Sequence, residues 1–300
     1  MTKTTTLTAA LALSLLAVGA CGDDEANDAG ADAGVTDTGS TSDTGGDGEA
    51  VTIQFAVQLD GADFACGTDV ASIGEPTTTL SPIDMRFFVH GIELIAADGT
   101  AAPLTLDDDG QWQRDGIALL DFEDATGACE NGSTGTNHDV TGTVPAGEYT
   151  GIRFVVGVPF DMNHADPNIA EPPLSGTAMH WNWQGGYKFI RFEADTGGDA
   201  GYRLHLGSTG CEGTIGNISA CSQPNRPVIE LDNFDPETNV VVYDLDAMLA
   251  GLDLTFNTPD SAPGCMGAAD DPECIAPFER LGLDIATGEP GEEQSVFTVR

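Results

Sequence analysis

Val51-Thr52-Ile53-Gln54-Phe55-Ala56-Val57-Gln58-Leu59 sets apolar residues at the odd positions in near-strict alternation. A two-residue period marks a strand with one face against a core. Further β-rich stretches run over 83–95, 116–122, 149–156, 187–192, 202–206, 227–231 and 240–245, with a last short one at 295–299. Turn signals separate them: Asp98-Gly99, Asp109-Gly110, Glu130-Asn131-Gly132 and Pro145-Ala146-Gly147. No long segment carries a helical period. Residues 244–252 suit one short helix, and 274–283 one or two turns. Many short strands with Gly- and Pro-rich links predict an all-β fold, a β-sandwich.

The two ends read differently. Residues 1–21 have the pattern of an export signal: Lys3, then an apolar run from Leu7 to Ala20 too short to span a bilayer. Val18-Gly19-Ala20-Cys21 is the pattern of a lipoprotein cut site, with Cys21 as the acylated thiol. The alternative is an ordinary secretory signal with Cys21 incidental. Residues 22–50 are acidic and small, with no Lys or Arg, and predict a disordered acidic tether. The β-sandwich domain is expected over 51–256. Residues 257–300 are expected as a disulfide-pinned C-terminal extension of that domain.

The chain carries 49 Asp and Glu against 10 Lys and Arg, a net charge of −39. That excludes a nucleic-acid-binding role, which needs a basic surface. It also opposes docking on anionic lipid head groups, so membrane contact is expected through a lipid anchor alone. Cys21 aside, six of the seven cysteines remain, an even number in an exported chain, which favours disulfides. Six cysteines allow 15 pairings. The local pairs Cys211/Cys221 and Cys265/Cys274 are favoured, which leaves Cys66 with Cys129. A thiolate metal site is the alternative.

Chemistry concentrates in Met179-His180-Trp181-Asn182-Trp183-Gln184-Gly185-Gly186-Tyr187-Lys188-Phe189-Ile190-Arg191. It holds two of the three tryptophans, one of the five histidines and the only lysine beyond residue 21. On a continuous strand, Met179, Trp181 and Trp183 would share one face and His180, Asn182 and Gln184 the other. Such clustering suggests a soft-metal or redox site; core packing is the ordinary alternative for strand aromatics. No HxH or HExxH spacing occurs, so a metal site must be assembled from distant segments. His164, in a loop with Asp166 able to orient its imidazole, and His205, opposite Leu204 and Leu206 on a strand, are candidates. A histidine that merely caps a surface turn is the alternative for His164. An exported site of His with Met or an aromatic nearby suits copper better than magnesium or calcium. Leu106-Asp107-Asp108-Asp109-Gly110 lacks the spaced ligands and closing Glu of a calcium loop and reads as a charged turn. GxSxG, P-loop and CxxCH patterns are missing, and no nucleophile is singled out.

These runs, taken in order, resemble the MbnP-like family, the four-Cys protein of the two-gene metallo-mystery pair. They are Phe64-Ala65-Cys66-Gly67, Pro82-Ile83-Asp84-Met85-Arg86-Phe87-Phe88-Val89, Ala118-Leu119-Leu120-Asp121-Phe122-Glu123, Gly157-Val158-Pro159-Phe160 with Asn163-His164, the Trp181–Phe189 run, and His205-Leu206-Gly207-Ser208-Thr209-Gly210-Cys211 with Cys221. The resemblance covers nearly all of 51–300. It implies an exported copper-binding protein that is not itself an enzyme. It also implies a partner, a dihaem cytochrome c peroxidase-like enzyme of the MauG type, that oxidises a tryptophan to kynurenine beside histidine-held copper. Carried over by position, Trp181 and Trp183 match the motif tryptophans, and His164 and His205 its histidines. Cys66, Cys129, Cys211 and Cys221 are the motif cysteines, with Cys265 and Cys274 an additional pair. His180 is a weaker metal candidate; His90 and His138 match no fixed position. The expected location is the periplasm or cell surface, lipid-anchored to a bacterial membrane. The competing reading is a metal-free acidic sandwich that serves as a surface adhesion or interaction module.

Overall fold

The computed structural model describes residues 48–300 except 131, 177 and 199–200. The export signal, Cys21 and the tether up to residue 47 lie outside the described residues. The alternating run does form a strand, Glu49–Leu59, which begins two residues before Val51. Its partners are Asp139–Val144, antiparallel, and Val240–Asp244, parallel. Phe297–Val299 pairs antiparallel with Val240–Asp244, and Thr105–Leu106 closes the other edge. The last strand of the 257–300 segment is thus part of this first sheet.

The second sheet is organised on one long strand, Thr78–Ala96. In order it runs Tyr202–Leu206, Ile190–Asp195, Thr78–Ala96, Tyr149–Val156 and Val228–Asp232, with Ile117–Asp121 also paired to the central strand. Alternation on Thr78–Ala96 turns Met85 and Phe87 toward the first sheet. Phe87 meets Phe55 of the first sheet with centroids 6.2 Å apart, and Phe55 meets Phe154 at 5.6 Å. Tyr243 and Phe297 stack at 4.7 Å in the same interior. Each large aromatic here is buried, and their burial is the main driving force holding the two sheets face to face. The fold is the all-β sandwich that the alternating pattern predicts.

The opposite face of the second sheet is unusual. Asp84, Arg86 and Asp121 point outward from the sandwich core yet are buried. Pro172, Pro173, Ser175, Ala178 and Met179 lie beside Arg86 and Asp121, in the covering segment between the short helix Phe160–Asn163 and the hairpin His180–Asn182 with Gly186–Tyr187. Phe88 on the sheet meets Tyr187 on the hairpin at 6.0 Å. Tyr187 Oη in turn donates to the Leu174 carbonyl at 2.6 Å. The cover therefore has its own apolar anchor.

Three disulfides tie the chain: Cys66–Cys129, Cys211–Cys221 and Cys265–Cys274. The first closes the longest loop, 63 residues, and in the loop-entropy picture restrains the unfolded chain most. The second crosses the hairpin Thr209–Thr214 with Asn217–Gln223, where Cys211 and Cys221 face each other in register. The third pins the C-terminal segment, whose Cys265 bridges to Leu204 beside the second sheet's edge.

Candidate functional site

The Met179–Arg191 run is not one continuous strand. The strand ends at Asn182, the chain turns at 183–185, and pairing resumes at Gly186. Asn182 Oδ1 makes the turn by accepting from the backbone N–H groups of Gln184 and Gly185, at 2.9 and 2.8 Å. Face alternation therefore stops before Trp183, which lies at the turn with 41% of its surface exposed. Trp181 stays on the strand and is half-buried. The two indoles do not share a strand face, because the Asn-Trp-Gln-Gly sequence favours a turn over extension.

Trp181 packs on the second sheet. Its ring stands edge-on to that of His205, centroids 6.1 Å apart, planes at 88°. Its six-membered ring lies over the backbone of Gly207, where an added Cβ would fall 3.2 Å from Cε3 and Cζ3 and 2.9 Å from the Tyr187 carbonyl oxygen. Glycine is required there by close approach, not by its φ.

His205 is almost fully buried, and Nε2 sits 2.8 Å from Glu193 Oε1. Burial works against the Glu193 charge, but His205 and Arg191 outweigh it and hold the carboxyl well below the usual range. An ionised carboxylate only accepts, so Nε2 carries the proton. Burial, partly offset by Glu193, lowers the His205 pKa and keeps the ring neutral. Nδ1 is then a bare lone pair, buried and without a hydrogen-bond partner. A neutral imidazole oriented by a carboxylate on one nitrogen, with the other free, is the state a metal ligand needs. The expected carboxylate support is thus found on His205, through Glu193. Asp166, expected beside His164, instead accepts from Asn168, from its backbone N–H at 3.0 Å and its Nδ2 at 2.7 Å.

His164 follows the Phe160–Asn163 helix and is half-buried. Asn163 fixes it to the hairpin. Its fully buried amide donates to the Gly185 carbonyl at 3.1 Å and accepts from Tyr187 N–H at 3.0 Å. Gly186 permits this approach: its φ is +80°, and a Cβ there would fall 2.1 Å from the Asn163 carbonyl oxygen. The His164 Nε2 lies 3.7 Å from Cys221 Sγ, and its Nδ1 is buried without a partner. Burial first, and then the Arg226 charge, lower its pKa. The backbone of Trp183, close to the ring, opposes that shift.

His180 packs against Tyr187 at 5.1 Å, and burial lowers its pKa. Among the described residues, the one group of three His, Cys, Asp or Glu donor atoms all within 4.8 Å of one another is His164, Cys211 and Cys221. The two sulfurs are bonded to each other and are not thiolates. His164, His180 and His205 therefore do not form a preassembled three-histidine cage. His138, also without an assigned role, stacks on Phe122 at 4.7 Å, and His90 Nδ1 bonds the Gly157 carbonyl at 2.8 Å.

Between these parts opens a cleft of about 360 Å³, lined by Trp181, Gln184, Ser208, Cys211 and Met266 among others. Gln184 Nε2 donates to the Cys211 carbonyl at 2.7 Å and bridges the hairpin to the disulfide strand. Trp181, backed by His205, forms one wall, and Cys211, backed by His164, forms another. The bare Nδ1 of His205 and the Nε2 of His164 that faces the disulfide are nitrogen donors that suit a soft or borderline metal. Sequence reasoning missed Glu193 and Met266, and gave no role to Asn163 and Gly207, which it met only within longer runs. Glu193 was legible in principle, since it lies two residues after Arg191 on the strand paired with His205.

Under the sandwich cover the polar groups continue as a chain. Glu193 Oε1 also accepts from Arg191 Nε at 2.8 Å, and Arg191 Nη1 reaches Asp84 at 3.2 Å. Asp84 holds Arg86, which lies 3.6 Å from Glu123 and 3.9 Å from Asp121. Lys188 donates to the Ala178 carbonyl at 3.2 Å, and burial pushes its pKa down to about 8. Arg191 shares that carbonyl at 2.9 Å, so the cover is bonded to the charged face.

Fold and site together define a disulfide-tied, acidic β-sandwich with a Trp-walled cleft backed by buried imidazoles. The family model for MbnP matches residues 48–267, and the chain belongs to the MbnP family. A solved structure of MbnP from Methylosinus trichosporium is 32% identical, covers 84% of this chain and 98% of its own, and superimposes with a TM-score of 0.73. The comparison with curated proteins found no match.

Proposed function

We propose that this chain is an exported copper-binding protein, the substrate and not the catalyst of a dihaem MauG-like enzyme. Family membership supports the reading, and so does one feature of the site. His205, oriented by Glu193 and bare at Nδ1, packs on Trp181 at a solvent-open cleft that also holds Met266. His205 and His164 would hold the metal, as neutral nitrogen donors. His180, on the Tyr187 side, is a reserve ligand.

The partner would supply the oxidising equivalents. Conversion of an indole to kynurenine is a four-electron oxidation in which the electrons pass to the partner, water supplies the oxygens, C2 leaves as formate, and a carbonyl at C3 and an aniline nitrogen remain. Those two atoms are new donors, and they offer what the histidines lack as a preassembled set. Trp181 and Trp183 differ in role: Trp183 is the more exposed to an external oxidant, whereas Trp181 is beside the imidazole. A net charge of −39 favours encounter with a partner presenting a basic face. Three disulfides suit an oxidising compartment, and Cys21 would anchor the chain at the periplasm or cell surface.

Mass spectrometry of the peptide carrying Trp181 and Trp183, from protein made in its native host, tests the modification. One tryptophan converted to kynurenine is expected when the dihaem enzyme is present and none when its gene is deleted. An unmodified peptide with the enzyme present would overturn the modification.

A further inference from the structure

We propose that Cys211, Cys221 and His164 form a second, reduction-gated site for a thiophilic d10 cation. The site exists only when the Cys211–Cys221 disulfide is opened. The proposal does not rest on the copper reading and shares one residue, His164, with it.

Geometry carries the inference. The ligand atoms of all three residues lie within 4.8 Å of one another, and His164 presents its Nε2 to the disulfide, 3.7 Å from Cys221 Sγ. Cys211 and Cys221 are register partners on adjacent strands, with Cα atoms 3.8 Å apart. Tetrahedral zinc sites have Zn–S bonds of ~2.3 Å, which sets two thiolates ~3.8 Å apart. Rotation about the two Cα–Cβ bonds supplies that separation without moving either strand.

The scaffold does not depend on the sulfur bond. The hairpin remains paired at Thr209↔Gln223, Glu212↔Ala220 and Thr214↔Asn217. Thr209 Oγ1 donates to Gln223 Oε1 at 2.8 Å, and Ser208 Oγ donates to the Pro224 carbonyl at 3.0 Å. The loop closed by this disulfide spans only 10 residues, so opening it releases little chain entropy. His164 is held separately, through Asn163 and the hairpin. Both halves of the site therefore stay in place when the disulfide opens.

Access also favours this disulfide over Cys265–Cys274. Cys211, though buried, lines the open cleft and Cys221 is half-buried, whereas Cys265 and Cys274 are both fully buried. A dithiol reductant would attack one sulfur, break the Cys211–Cys221 bond through a mixed disulfide, and leave as its own disulfide. Two electrons and two protons pass to the pair. Binding of a divalent d10 ion then releases the two thiol protons. Two thiolates neutralise that ion, so the nearby Arg226 charge presents no repulsion to the filled site.

Cadmium serves as the probe, added to the whole chain before and after mild reduction with dithiothreitol. Thiolate-to-cadmium absorption should appear for one equivalent, in the reduced protein alone. Cys211→Ser with Cys221→Ser should abolish it, His164→Ala should weaken affinity about tenfold or more, and His205→Ala should leave it unchanged. Alkylation mapped by mass spectrometry is the second readout, and it needs no variant. Cadmium should shield Cys211 and Cys221 from alkylation after reduction. Equal alkylation with and without cadmium, reduced protein that takes up no cadmium, or full affinity in the His164→Ala protein would each overturn the proposal. Loss of copper in His205→Ala with cadmium binding intact separates this site from the copper site.

Discussion

His205 Nε2 and Glu193 Oε1, 2.8 Å apart on adjacent strands, leave the imidazole's other nitrogen buried and without a hydrogen-bond partner. Glu193→Gln removes the acceptor charge that selects this tautomer and also takes a carboxylate partner from Arg191, which keeps Asp84. Copper affinity should fall about 10- to 100-fold, with the His205 titration moved toward lower pH as its stabilising anion is lost. Isothermal titration with copper and histidine NMR titration check both effects. Unchanged affinity would remove Glu193 from the site.

Gly207 faces the Trp181 ring so closely that a methyl group cannot enter without displacement. Gly207→Ala should cost about 1–3 kcal/mol by overpacking. It should also shift Trp181 fluorescence, because the indole must lift away from the strand. Chemical denaturation and emission spectra measure the two. A variant as stable as the parent with identical emission would show that the ring is not seated there.

Asn163 replaces backbone partners for Tyr187 N–H and the Gly185 carbonyl. Asn163→Ala leaves the buried Tyr187 N–H unpaired, at about 1–3 kcal/mol, and takes the partner from the half-buried Gly185 carbonyl. Hydrogen exchange at the Tyr187 amide should rise more than at amides of the Glu49–Leu59 strand, since the cover loosens before the sandwich opens. Uniform protection across both would contradict the role given to Asn163.

Asp121 and the histidines act on stability in opposite senses. Burial pushes Asp121 up to about 7 from 3.8. A carboxyl raised in the fold stabilises it below the unfolded value, and that contribution disappears as pH rises through the folded value. The window for Asp121 thus runs from 3.8 to about 7. His90, His164, His180 and His205 are lowered from 6.5, so their contribution is present above 6.5 and is lost as pH falls below it. Comparing wild type with Asp121→Asn cancels the histidines. The urea midpoint of the variant should gain on the parent between about pH 4 and about pH 7. A pH-independent difference would contradict the buried, proton-bearing carboxyl.

Much of the sandwich was readable because strands with one face on a core alternate. Tyr149–Val156 and Tyr202–Leu206 lie where the pattern sets them. Asp139–Val144 was missed: its Thr and Gly residues give a weak signal, and Glu49–Leu59 and Thr105–Leu106 supply its order. The parallel pairing of Glu49–Leu59 with Val240–Asp244 joins segments far apart in the chain, and no local pattern encodes it. The site was legible in residue types but not in arrangement. Alternation placed Trp181 and Trp183 together, yet the Asn182 side chain captures two backbone N–H groups and turns the chain between them. The burial of Asp84, Arg86 and Asp121 was not legible, because a period of two reports alternation and not what covers the polar side.

Copper titration of native-host protein, wild type against His164→Ala with His205→Ala, tests the histidine-held metal most directly. The wild type should take up one equivalent tightly, and the double variant, its fold confirmed by circular dichroism, should take up none. Equal uptake by the two proteins would contradict a copper site built on these imidazoles.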